Sequence, residues 1–60
     1  MFKNFTINRN DQVVALGCIF IQTGKCVVNW LGLCRSVVIW DSFDELKKVS
    51  GHPGTSFVFI

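Results

Sequence analysis

The chain has 60 residues, half of them hydrophobic and 17% charged, with a formal net charge of +2, a composition that excludes intrinsic disorder and leaves room for one small domain over residues 1–60. A domain this short buries only about 60% of the surface its unfolded chain exposes, so staples or self-association are expected. Lys and Arg do not cluster, which argues against DNA or RNA as a partner, and no apolar run approaches the roughly 20 residues of a membrane span, so the chain reads as cytoplasmic.

Phe2 to Asn8 alternates loosely and reads as an edge strand, followed by turn chemistry at Arg9-Asn10-Asp11. The second strand runs from Gln12 to Gln22. Strict alternation would put Val13, Ala15, Gly17, Ile19 and Ile21 on one side and Val14, Leu16, Cys18 and Phe20 on the other, leaving both sides apolar. Thr23-Gly24 signals a tight hairpin, after which Lys25 to Gly32 forms a third strand that is again apolar on both faces.

A turn at Leu33 to Arg35 leads to a short β-branched strand, Ser36 to Trp40. Ser42 with Glu45 three residues later forms a capping box, and Phe43, Leu46 and Val49 make an apolar stripe, so a helix spans Phe43 to about Ser50. Gly51 suits a left-handed residue that ends the helix, Pro53 prevents its continuation, and Thr55 to Ile60 is a last strand. The fold class is α+β, a largely antiparallel sheet in the order β-β-β-β-α-β. One helix shields one face only. The second apolar face predicts a homo-oligomer assembled through the sheet.

Few residues suggest chemistry. His52, the only histidine, sits in Gly51-His52-Pro53-Gly54; it is first a solvated turn residue, and alternatively part of a ligand loop whose glycines let backbone N–H groups approach a phosphate. Asp41, Asp44 and Glu45 are better read as groups around the helix start than as a catalytic pair, and no nucleophile with a base stands out, so the chain is not expected to be an enzyme. Cys18, Cys26 and Cys34 are odd in number, lack the close pair of a zinc motif and read as reduced thiols; no cofactor is expected. Trp30 and Trp40 close two strands and read first as core or interface anchors. The functional alternative is nucleotide recognition, in which an indole stacks on a base, Arg35 forks onto a phosphate, and Ser36, Thr55 or Ser56 reach further oxygens.

Thr23-Gly24-Lys25, Trp30-Leu31-Gly32, Arg35 to Ser42 and Gly51-His52-Pro53-Gly54-Thr55 together resemble a group of very small phage and bacterial proteins. These share a WLG segment, an aromatic-Asp-Ser helix start and a GHxGxT loop. The group includes phage anti-defence sponges that sequester the cyclic nucleotides of CBASS or the ADP-ribose-type signals of Thoeris. The resemblance implies a small oligomer, with a tetramer favoured, in the host cytoplasm, holding its signal between subunits without cleaving it. The ligand residues would be Trp30, Arg35, Ser36, Trp40, His52, Gly54 and Thr55. Pro53 and the terminal Phe59-Ile60 depart from the group's pattern, and Phe2 to Gly17 lies outside the resembling part. The rival expectation is an inhibitor that docks on a host defence protein through the spare apolar face or by strand addition at Phe2 to Asn8.

Overall fold

The computed structural model describes residues 1–32 and 35–60. The expected turn residues Leu33 and Cys34 lie outside the described residues. Strands β1 (Phe2–Arg9), β2 (Gln12–Phe20), β3 (Cys26–Trp30) and β4 (Ser36–Trp40) precede helix α1 (Phe43–Ser50) and strand β5 (Thr55–Phe59). All neighbouring strands are antiparallel, in the spatial order β4-β3-β2-β1-β5. The α+β class and the element order are those expected.

The spatial order corrects one expectation. β1 is not an edge strand: the last strand pairs with its free side, Phe5 opposite Phe59 and Arg9 opposite Thr55, so β4 and β5 are the edges. Strand addition is therefore blocked by β5 over Phe5 to Asn8.

The β1–β2 turn is tight because Asn10 and Asp11 both take positive φ, 51° and 62°, the pairing a two-residue hairpin requires and that Asn and Asp tolerate. Its register shifts between Ile7, opposite Ala15, and Asn8, opposite Val13, leaving Val14 as the extra residue of a bulge. The bulge breaks the parity assumed for β2. Ala15, Gly17 and Ile19 share one face, while Val13 joins Leu16, Cys18 and Phe20 on the other. Val14 packs against the core, and its carbonyl accepts a hydrogen bond from the Leu31 N–H at 3.0 Å.

The core lies between α1 and one face of the sheet. Phe5, Ile7, Ala15, Cys26, Val28 and Leu46 are buried, with Trp30, Trp40, Phe43 and Phe57 packed around them. Phe43 anchors the helix over β1 and β5, its ring centroid 5.3 Å from Phe5, 5.3 Å from Phe57 and 5.4 Å from Phe59. The inward stripe of α1 differs from the expected one. Leu46 and Ser50 are buried, whereas Val49 is 57% exposed, because Ser50 stands two turns below Phe43 and Val49 is rotated about 100° away. Ser42 caps the helix as expected, accepting from the Glu45 N–H at 3.2 Å. Gly51 ends it differently: φ is −86°, and the glycine is required because a Cβ would overlap the Lys47 carbonyl oxygen that the Gly51 N–H itself approaches at 2.8 Å.

The other face of the sheet is open. Phe2, Val13, Leu16, Phe20, Val37, Ile39 and Val58 project from it, each between 43% and 67% exposed. Asn4, Thr6, Asn8, Asn29 and Ser56 are its polar members, and none of its strand positions carries a charge. The leftover apolar surface expected from the sequence is thus present on one contiguous face.

Candidate functional site

The two indoles point to the helix side of the sheet but stand at opposite ends of β3 and β4. Trp30 pairs with Ser36, and Trp40 pairs with Cys26. Four residues of strand separate those pairs, about 13 Å along the sheet. One chain therefore cannot clamp a single base between Trp30 and Trp40. Trp40 also has its indole N–H buried with no acceptor among the described residues.

Trp30 instead belongs to a polar corner that the sequence did not announce. Arg9, at the end of β1, places its guanidinium 5.5 Å from the centroid of the Trp30 ring. Its Nε donates to Thr55 Oγ1 at 3.1 Å, and its Nη2 donates to the Ser50 carbonyl at 3.2 Å. Arg9 thereby ties the helix end, β5 and the indole together, and a cation beside the last helical carbonyls is electrostatically favoured there. The link depends on β1 pairing with β5 across 46 positions of sequence, which no local pattern reveals. The guanidinium's other N–H groups make no hydrogen bond among the described residues.

His52, Gly54 and Thr55 occupy a turn at the same corner. The Thr55 N–H donates to the His52 carbonyl at 3.0 Å, with Pro53 second and Gly54, at φ 87°, third, the signature of a type II turn. His52 and Gly54 are exposed. The closed turn already uses the Thr55 N–H, so the expected backbone cradle for a phosphate is reduced at that position. The Thr55 hydroxyl is likewise engaged, by Arg9.

Ser36 is exposed beside Trp30, and Arg35 precedes it at the start of the β4 edge, exposed and outside the Arg9 corner. The structure thus brings together Trp30 with Ser36, and His52 with Gly54 and Thr55, joined through Arg9. It leaves Trp40 at the far end. Among the described residues the single chain encloses no pocket, and no group of His, Cys, Asp or Glu suited to a metal comes together.

Around the helix start, Asp41 pairs with Lys25 at 3.3 Å and Asp44 with Lys47 at 3.9 Å, both on exposed side chains. Cys26 is fully buried, and its thiol is pushed up to about 11, first by burial and then by the nearby Cys18. It is an inert core thiol. The arrangement as a whole offers an aromatic face, an anchored guanidinium and hydroxyls, a chemistry of holding an anionic aromatic ligand.

The family model described as Acb5 phage protein matches residues 7–60. The chain belongs to that family, whose name is that of anti-CBASS phage proteins. The match reaches back into β1 and includes Arg9, beyond the segment on which the sequence resemblance rested. No curated protein and no solved structure matches the chain.

Proposed function

We propose that this member of the Acb5 phage protein family acts as a sponge: it binds the cyclic nucleotide signal of CBASS and holds it away from its receptor without cleaving it. The observation that carries the reading is the coincidence of family membership with a nucleotide-suited corner, Trp30 beside the anchored Arg9, in a chain whose described residues by themselves enclose no pocket. A ligand would have to lie between copies. The open apolar face supplies a reason for copies to meet, since hiding seven half-exposed side chains at roughly 25 cal/mol per Å² contributes several kcal/mol per protomer. Such an assembly would be a homo-oligomer, a tetramer by preference.

Sequestration without turnover requires affinity above the receptor's, in the nanomolar range or about −12 kcal/mol. Titration calorimetry against cyclic dinucleotides, cyclic trinucleotides and cyclised ADP-ribose signals should show one nanomolar ligand, recovered chemically intact after the protein is denatured. An absence of binding across the panel overturns the reading. Trp30→Ala should weaken the ligand by roughly tenfold to a hundredfold, the worth of one stacked base.

A second reading keeps the same open face but gives it to a host defence protein, which the protein would inhibit by docking. Mass in solution separates the two. A stable monomer favours the docking inhibitor, and a closed oligomer carrying an ultraviolet-absorbing small molecule favours the sponge.

A further inference from the structure

The β4 edge lacks the devices that keep edge strands apart. Between Ser36 and Trp40 there is no charge, no proline and no bulge, and Val37 and Ile39 are 63% and 67% exposed. The strand is flanked by opposite charges, Arg35 before it and Asp41 after it. Reading β4 against itself in antiparallel register, centred on Val38, sets Arg35 opposite the partner's Asp41 and Asp41 opposite the partner's Arg35. Val37 then faces the partner's Ile39, Ser36 faces the partner's Trp40, and Val38 faces its own copy. Every pair is complementary. Asp41 is free to take part, since its side chain is 80% exposed and only one oxygen meets Lys25. The other edge, β5, has Gly54 and Ile60 at its ends and offers no such charge match.

We propose that β4 is the seam of a two-fold dimer in this register, and that the seam completes the ligand site by setting Trp40 of one copy beside Ser36 and Trp30 of the other. Paired strands keep their faces, so both helices lie on one side of the continuous sheet. There Trp30, Ser36 and the partner's Trp40 form one row across three adjacent strands, the two indoles about 10 Å apart at Cα with the small serine between them. Within one chain the same indoles stand at opposite ends. Phe43 of α1 packs over β1 and β5, and in the row itself Ser36 is exposed and the two indoles are half-buried. The dyad generates two identical rows, matching a ligand that carries two bases on a two-fold ring, so a cyclic dinucleotide is the expected class. The ligand part rests on the sequestration reading, whereas the seam does not.

The seam is tested first, without ligand. On mild oxidation Val38→Cys should give a covalent dimer on a denaturing gel well above the wild-type background, because only a residue on the dyad meets its own copy at disulfide distance. Arg35→Asp and Asp41→Arg should each lower the native mass, and the two together should restore it. No covalent dimer from Val38→Cys, or a double variant no larger than the single ones, overturns the seam.

The shared site is tested by complementation. Trp30→Ala and Trp40→Ala should each weaken cyclic di-GMP, or another cyclic dinucleotide found in the calorimetric panel, by roughly tenfold to a hundredfold, since each variant takes an indole from both rows. Mixed dimers of the two variants should bind it measurably more tightly than either variant's own dimers, since one of the two rows then keeps both of its indoles. No recovery, with mixed dimers confirmed by native mass spectrometry, overturns the shared site. If wild type binds no nucleotide while Val38→Cys still cross-links, the sponge reading falls and the seam stands.

Discussion

Individual residues in this protein are fixed by what leaves them no space. Gly17 lies under the Phe5 ring, which a Cβ would overlap. Gly17→Ala should therefore cost roughly 1–3 kcal/mol, the range for overpacking a filled core, and a lower urea midpoint would show it. Cys26 is limited by solvation instead. Its thiol holds its proton up to about 11, against an ordinary 9.0, so the folded state binds that proton more tightly than the unfolded state does. The stability gained is complete below about pH 9 and is lost as pH climbs towards 11. Denaturation across that window should show stability falling with pH, and Cys26→Ala should remove this part of the fall. Sequence placed both residues in β2 and β3 correctly. It could not show that Phe5 crosses over Gly17, because that contact depends on hairpin register.

The elements follow their local signals closely, and the departures have identifiable causes. β4 and α1 have the expected bounds because each is bracketed by strong punctuation, a β-branched run ending at Asp41 and a serine cap at Ser42. Ser42→Ala should destabilise the protein by about 1 kcal/mol, read as a lower melting temperature, through loss of the bond to the Glu45 N–H. Val49 departs from the expected stripe because Phe43 and Leu46 fit either spacing, and only packing against the sheet selects Ser50. The faces of β2 depart from alternation at two positions, Val13 and Val14, because a bulge at Val14 leaves no mark in an alternating apolar run. In the sequence Arg9 looks like turn chemistry. Its role comes from the pairing of β1 with β5, the most distant pairing in the chain, and the same pairing removes β1 from the sheet edge. Arg9→Ala should loosen that closure, costing about 1–2 kcal/mol for two hydrogen bonds and exposing the β5 amides to faster hydrogen exchange.

At the scale of the whole molecule the sheet has two unfinished boundaries, an open face and an open edge. Seaming two chains along β4 would bring their open faces into one plane, and a second such pair could then stack on it, a route to a tetramer with mutually perpendicular two-fold axes. In that arrangement Leu16→Asp, which charges the middle of the open face, should reduce tetramers to dimers while leaving Val38→Cys cross-linking intact. Analytical ultracentrifugation reads the first effect and a denaturing gel the second. The face was legible from composition, because a chain this short has too few polar residues in β2 and β3 to water one side. The edge was not, since strand order in space is absent from strand order in sequence.

The uncharged open face and the charge-flanked β4 edge should answer ionic strength in opposite directions. Added salt shields Arg35 from the partner's Asp41 and loosens lateral pairing, while a salting-out anion such as sulfate tightens the stacking of apolar faces. Sodium chloride would then part the particle along its β4 seams and leave stacked pairs, whereas sodium sulfate would screen the same seams but hold those stacked pairs together more firmly.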